Sequence, residues 1–382
     1  MINVVLLSDY VNVFNLSFCL ELVNNREVNF KFYVTKRFDN ERAQNGLNDM
    51  NTKYDFVYRL YDDSLDYSQF ANDINNCDIL IVGAVGNYKN IIKDRMKLNK
   101  YTFLFSERLF KQKLSIKVLF KNLLRFFRHV NVYPNKNLYL LSVGYYSSID
   151  YNKIMSFKNK SFKWMYFPRV LEIDIDKLLC SKANKEYLDI LWVGRMLSWK
   201  HPEYVIMLVK KLTDNNYKIR AKLIGCGPEL LKLKALTKHY GLDNSISFLE
   251  GIPNDDVRKT MLNSDIYLFT SDRGEGWGAV LNEAMNSGLA VVASSEAGSS
   301  RYLVKDGENG LLYYNNNFDN LYHNVIKLIL DEELRKSVSL NAYYTILSNW
   351  NAKEAANRLI ELYNGLRNGN DNVFASGLLS KA

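Results

Sequence analysis

Residues 265–288 read DIYLFTSDRGEGWGAVLNEAMNSG. The first six, Asp265–Thr270, form a short apolar run of the buried-strand kind. Gly274, Gly276 and Gly278 follow, and residues without a Cβ let backbone come close to a ligand. From about Gly278 to Asn286 the spacing predicts a helix, with Gly288 where a left-handed C-terminal cap belongs. The unit is strand, glycine-rich loop, helix. Two carboxylates flank its mouth, Glu275 and Glu283, with seven residues between them. Glu275 sits in the loop at the strand's C-terminal end, and Glu283 lies about one and a half turns into the helix. The helix start offers free N–H groups and the positive end of a dipole, which suits a diphosphate. One acid beside such a site can accept from sugar hydroxyls, the other from a ribose.

Strand and helix alternate on both sides of this unit. Strand Asp189–Val193 leads to Gly194, and Pro202 opens a helix reaching about Leu212. Strand Arg220–Ile224 leads to Gly225-Cys226-Gly227-Pro228 and another helix. Strand Ile246–Leu249 is followed by Gly251-Ile252-Pro253 and a helix over Asn254–Asn263, with Asp255 and Asp256 in its first turn. Strands Leu289–Ala293 and Leu311–Tyr314 follow, then helices at about Asp319–Leu330 and Glu332–Leu347. The glycine-bearing loops all fall at C-terminal strand ends, where open α/β sheets bind ligands. The first half repeats the alternation. Its strands are Ile2–Ser8, Val28–Val34, Tyr54–Tyr58, Asp78–Val82, Tyr101–Phe105, Leu138–Ser142 and Trp164–Phe167, and its first helix is Val13–Val23. The expected class is α/β, with parallel sheets covered by helices on both faces. Leu171–Leu188 reads as a linker. The expected division is 1–180, 181–348 and a C-terminal segment 349–382, made of a helix over about Ala352–Leu366 and a polar, frayed tail.

Composition agrees with two packed domains: 382 residues, 47% of them apolar. No run approaches the roughly 20 apolar residues of a membrane span. MINVVLLSDY reads as a first strand and not as a signal peptide, lacking a basic leader and a cleavage site. Cys19, Cys77, Cys180 and Cys226 are scattered without a C-x-x-C pair, which speaks against structural zinc and disulfides and for a reducing cytoplasm. His129, His201, His239 and His323 are isolated, and Asp174-x-Asp176 reads as solvated acid. No metal and no cofactor is expected. The net charge of +9 is uneven, with eighteen Lys and Arg against three acids in residues 89–169. Within Lys111–His129 the cations Lys117, Lys121, Arg125 and Arg128 share one helical face opposite apolar residues. Such a helix suits an anionic membrane surface, at about 1 kcal/mol per cation.

The region around Glu275 and Glu283 resembles the Glu-x7-Glu signature of retaining glycosyltransferases of family 4, the glycosyltransferase group 1 enzymes with the GT-B fold. The resemblance covers about Leu188–Asn317 well and the first half by layout only. It implies two Rossmann-like domains facing across a cleft, the first taking the acceptor and the second the nucleotide sugar. It implies that Glu275 contacts the donor sugar and Glu283 the ribose. Gly194-Arg195-x4-Lys200 matches the family's phosphate clamp, with Arg195 and Lys200 stabilising the departing diphosphate. Gly225-x-Gly227-Pro228 resembles its second glycine turn, and Ile252 stands where backbone contacts the base. Gly276, Trp277 and Gly278 complete the expected donor site, Trp277 in a usual aromatic slot. Ala297-Gly298-Ser299 resembles the loop closing near the donor sugar. The last helix is expected to cross back onto the first domain.

The first half departs from the family pattern. Ser8-Asp9-Tyr10-Val11-Asn12 stands where a glycine pair is common, and Ser106-Glu107-Arg108 where a His is common. Ser106, Glu107 or Arg108 is expected to face the cleft from this strand end, with Glu107 taken as the catalytic contact. Asp272 and Arg273 replace less charged residues. The implied reaction moves a hexose-type sugar from a nucleotide diphosphate sugar to a glycan hydroxyl. UDP-sugar is favoured over GDP-sugar. A lipid-linked acceptor in bacterial surface polysaccharide synthesis is expected, with the protein cytoplasmic and peripheral on the inner membrane face. One alternative is a GT-B nucleotide-sugar epimerase; another is nucleic-acid binding through residues 89–169, although no nucleic-acid partner is expected.

Overall fold

The computed structural model describes residues 1–38, 49–62, 65–83, 88–111, 120, 137–154, 156–183, 185–314 and 317–382. The chain forms two compact units: residues 1–169 with 352–382, and residues 170–351. Each is built on one parallel sheet. The first contains β1 (Ile2–Ser8), β2 (Val28–Val34), β3 (Val57–Arg59), β4 (Ile79–Val82), β5 (Thr102–Ser106), β6 (Leu138–Val143) and β7 (Ser161–Trp164), in the order β3-β2-β1-β4-β5-β6-β7. The second contains β8 (Leu188–Val193), β9 (Ile219–Ile224), β10 (Ile246–Leu249), β11 (Ile266–Phe269), β12 (Ala290–Ser294) and β13 (Leu311–Tyr313), in the order β10-β9-β8-β11-β12-β13. The α/β class expected from the alternation is the class observed.

The central strands are apolar on both faces because helices cover both. β4 (ILIV), β11 (IYLF) and β12 (AVVAS) are buried at every residue. In the second unit Ile190, Trp192, Leu223, Leu268 and Val292 pack with Val205, Ile206, Val209 and Leu212. Those four lie on the helix Glu203–Asp214, which turns one stripe to the sheet. In the first unit Val5, Leu7, Leu80, Val82 and Leu140 pack with Phe70 and Ile74.

Strand order reverses between β8 and β11, which are paired at Ile190↔Ile266 and Leu191↔Tyr267. The chain leaves β8 toward β9 on one side and leaves β11 toward β12 on the other. The loops after these two strands diverge and open a crevice, the place where doubly wound sheets take ligands.

Several local expectations are corrected. The first helix begins at Leu16, and β3 is only Val57–Arg59. The stretch expected to be a linker contains a helix, Ile175–Ser181. Asp174, exposed as a solvated acid should be, also caps it, accepting from Lys177 N at 3.0 Å. The tail expected to fray is ordered along the edge strand β7. Leu379 N donates to Lys163 O, Lys163 N to Ser380 O, and Ala382 N to Ser161 O, at 2.9, 2.9 and 3.0 Å. Leu378 and Leu379 are fully buried, and that apolar pair outweighs the polar composition around it. The last helix, Ala352–Arg367, belongs to the first unit, with Tyr363 Oη donating to Asp78 Oδ1 at 3.0 Å.

Arg95 is a wholly buried cation in the first unit. It donates to Ile74 O at 2.5 Å, Tyr101 O at 2.7 Å and Thr102 Oγ1 at 3.1 Å, tying two helix ends to β5. Arg95→Leu takes the short charged donor from both carbonyls, leaving Tyr101 O to Leu80 N at 3.2 Å and Ile74 O to the weak Cys77 Sγ donor at 3.6 Å. The expected loss is about 3 kcal/mol in the unfolding of the first unit, read from urea titration followed by far-UV circular dichroism.

Candidate functional site

Two loops meet at the reversal point: residues 194–201 after β8 and residues 270–278 after β11. They are strapped by side chain to backbone. Thr270 Oγ1 accepts from Trp192 Nε1 at 2.9 Å and donates to Lys200 O at 2.5 Å. Asp272 N donates to Trp199 O at 2.9 Å. Across the straps Lys200 Nζ donates to Glu275 Oε2 at 2.5 Å, and Ser271 Oγ reaches the same oxygen at 3.2 Å. Both partners are 13% exposed, so this ion pair is largely desolvated. The Lys200 ammonium also lies 4.8 Å from the Trp199 ring centre. The sequence suggested separate tasks for Lys200 and Glu275; the fold pairs them.

The glycine loops pack main chain on main chain. Gly225 has φ +132°, and a Cβ there would fall 2.1 Å from Gly194 O. Gly194 N donates to Ile224 O at 3.0 Å, and Met196 N to Cys226 O at 2.8 Å. Gly194 and Gly225 therefore set the approach of two strand ends. Arg195, held on this loop, is exposed and makes no side-chain hydrogen bond or ion pair to another described residue. Gly251, before the half-buried Ile252, has φ +63° with nothing within 4 Å of a Cβ.

Gly276 is buried, and Gly278 at φ +88° lies against the Phe269 ring. The helix Val280–Asn286 follows, ended by Gly288 at φ +64°. Trp277 was expected to line the donor site, but its side chain is fully buried and its Nε1 donates to Asn282 Oδ1 at 2.9 Å. The ring anchors the loop in the core. Gly298 N donates to Glu275 O and Ser299 N to Trp277 O, both at 3.2 Å, so the 297–299 turn sits directly on the Glu275 loop.

Glu283 is on the first turns of that helix. Burial pushes its carboxyl above the ordinary carboxylate range, and the nearby Arg258 guanidinium opposes the shift. Arg258 is itself buried and donates to Glu283 O at 2.6 Å and Asn286 Oδ1 at 2.7 Å. Asn286 in turn holds Leu171 through both its amide atoms, at 2.7 and 3.0 Å. Sequence reading passed over Arg258; the available signal was a lone Arg on the buried face of Asn254–Asn263, next to Val257 and Met261. Tyr267 is fully buried on β11. Burial, then the charges of Glu283 and Glu275, push its phenol far up.

Glu107 follows β5 in the other unit, where its carboxylate accepts from Tyr166 Oη at 2.8 Å and from Lys111. Ser106 Oγ donates to Glu107 O at 2.9 Å. Arg108 is turned inward, 3.5 Å from the buried Asp150 and 4.6 Å from the Tyr146 ring centre. Lys117, Lys121, Arg125 and Arg128 lie outside the described residues. Among those described, no group of three or more His, Cys, Asp or Glu is placed to hold a metal ion, and no helix is long and apolar enough to cross a membrane.

Residues 180–345 match the family described as glycosyl transferases group 1. An uncharacterized glycosyltransferase of Methanocaldococcus jannaschii is 31% identical over 208 residues, 54% of this chain and 52% of that protein. The gpi3 subunit of phosphatidylinositol N-acetylglucosaminyltransferase from Schizosaccharomyces pombe is 30% identical over 118 residues, 31% of this chain and 26% of that protein. The chain thus spans about half or less of the length of these curated relatives. In structure it resembles HepE of Anabaena, crystallised with UDP and glucose, over 96% of this chain and 100% of that one, with a TM-score of 0.65 and 16% identity. A glycosyltransferase from Rickettsia africae aligns over 96% and 99% of the two chains, with a TM-score of 0.66 and 14% identity. The residues that match the group 1 glycosyl transferases lie within the second unit, and the fold of the chain is GT-B.

Two outcomes are expected. Because the folded-state carboxyl of Glu283 is raised, its stabilising contribution is complete below the unfolded value near 4.5 and lost as pH rises through the folded value. Glu283→Gln should therefore raise the melting temperature at pH 7 to 8 and leave it unchanged near pH 4, by scanning calorimetry. Gly225→Ala should lose about 3 kcal/mol or more, since its Cβ meets rigid backbone; chemical unfolding of the second unit measures this.

Proposed function

We propose that the protein is a retaining glycosyltransferase of family 4 that uses a UDP-sugar. The observation that carries this reading is the set of groups gathered at the reversal point of the second sheet. A desolvated Glu283 carboxylate has no hydrogen-bond partner for its side chain among the described residues. Arg195 is unpaired among them, and the Lys200–Glu275 pair stands between β8 and β11. A ribose hydroxyl would give Glu283 the donor it lacks. Arg195 and Lys200 would take the diphosphate, with the loop at Gly276–Gly278 adding main-chain N–H groups. The crystal complex of HepE with UDP and glucose supports a uridine nucleotide.

In the proposed reaction a hexose-type sugar leaves UDP with oxocarbenium character at its anomeric carbon. Charge grows on the diphosphate, where Arg195 and Lys200 stabilise it. Glu275 holds the sugar hydroxyls and remains beside Lys200. The acceptor hydroxyl attacks the face the diphosphate leaves, and its proton passes to the departing phosphate. No cofactor enters this scheme. Glu107 is the proposed first-unit contact. The acceptor is proposed to be a lipid-linked glycan for a bacterial surface polysaccharide. The eighteen cations against three acids of residues 89–169 support work at an anionic inner membrane face.

The test is calorimetric titration with UDP, GDP, ADP and CMP. UDP should bind selectively, and Arg195→Ala or Glu283→Ala should each weaken it by about 10- to 100-fold, the size of one charge-assisted hydrogen bond. Binding of no nucleoside diphosphate would remove the donor-site reading. NMR of the product should show the donor's anomeric configuration kept. Full activity on soluble acceptors without membranes would overturn the lipid-linked part.

A further inference from the structure

We infer that His201 and Asp272 form a charged clamp that positions Lys200 and Glu275 for the donor, so that donor affinity follows the ionisation of His201. This rests on the donor-site reading above. Asp272 is one of the two charged residues that set this loop's sequence apart, and no step of the proposed reaction uses it.

The geometry is a closed circuit within the second unit. Asp272 holds the Glu275 loop by three main-chain links. Its N donates to Trp199 O at 2.9 Å, its O accepts from Glu275 N at 3.0 Å, and its Oδ1 accepts from Gly274 N at 2.6 Å. The other carboxylate oxygen, Oδ2, faces His201 Nε2 at 3.7 Å. That ring nitrogen is buried and has no hydrogen-bond partner among the described residues. The second ring nitrogen, Nδ1, lies 3.0 Å from Glu203 Oε1. The imidazole therefore bridges a carboxylate on the following helix and a carboxylate on the Glu275 loop. Tyr204, from the same helix as Glu203, stacks on it at 5.0 Å and 22°. Its chain neighbour is Lys200, whose carbonyl is gripped by Thr270.

The backbone points the same way. His201 has φ +48° and ψ +50°, a left-handed conformation that glycine adopts without strain. A side chain kept at a position where glycine would be relaxed has a task that offsets that strain. Here the task is the bridge. Trp199 adds a second support, since a Cβ on Gly274 would come 3.0 Å from its ring. A protonated imidazole attracts Asp272 Oδ2, and a neutral one loses that pull.

The charged and titratable groups facing His201 are Glu203 and Tyr204 on the helix, Asp272 on the loop and Lys200 beside it. Glu203 first, then Asp272, raise the imidazole above its ordinary value against the pull of burial. The clamp is thus complete below the unfolded histidine value and is lost as pH rises through the folded one.

The experiment is UDP titration of the intact protein between about pH 6.5 and pH 9, comparing wild type with His201→Gln, His201→Gly and Asp272→Asn. Taking the ratio of variant to wild-type affinity at each pH cancels titration of the nucleotide itself. Wild type should lose about fivefold in affinity across one ionisation, the size of one partly buried ion pair, and all three variants should lack that step. His201→Gly relaxes the backbone, so a melting temperature held or raised together with a missing step separates positioning from mere stabilisation. In the ligand-free protein, the effects of Asp272→Asn and His201→Gln on melting should be non-additive. Variants that keep the wild-type pH step, or additive melting effects, overturn the clamp while leaving UDP binding intact. Failure of wild type to bind UDP at every pH overturns the donor-site reading instead.

Discussion

The reversal of strand order between β8 and β11 is the constraint on which the site depends. Parallel strands need crossovers, and these two send theirs to opposite sides of the sheet. Their outgoing loops separate, and backbone that would otherwise be covered is left facing a crevice. What the protein adds is a means of holding the separated loops at fixed distance. Thr270, Asp272 and the Lys200–Glu275 pair do this across the gap. Gly225 does it on the β9 side, where a Cβ would strike Gly194 O.

A site built this way stores unfavourable electrostatics. Glu283 is half-buried without a side-chain hydrogen-bond partner among the described residues, and the Arg258 charge only partly offsets its desolvation. The helix Val280–Asn286 is fixed at its other end by Asn286 and Gly288. A carboxylate partly withdrawn from water on a rigid helix is a poor contributor to stability. The Lys200–Glu275 pair differs, because each charge already has its partner and a ligand must share them.

Much of this was legible in the sequence. The strand, glycine loop and helix of residues 265–288 could be read from apolar runs and glycine spacing, because a buried parallel strand and a left-handed cap each demand particular residues. Trp277 was misjudged because an aromatic in a glycine-rich loop has the same local sequence whether it faces a ligand or the core, and only Asn282, a turn away, settles it. The tail was misjudged because Leu378 and Leu379 find an edge strand more than two hundred residues back in the chain. Arg258 and His201 left almost no local trace, since their partners lie on other elements.

The sequence by itself determined the α/β class, the order of strands and helices in the second unit, and which loops bear glycine and charge. Those follow from local periodicity and backbone sterics, which act over a few residues. Only the tertiary structure decided that Lys200 and Glu275, seventy-five residues apart, form one ion pair, that Asp272 meets His201, and that Glu283 is desolvated. Those are properties of distance and burial. They exist only after strand order brings the ends of β8 and β11 side by side.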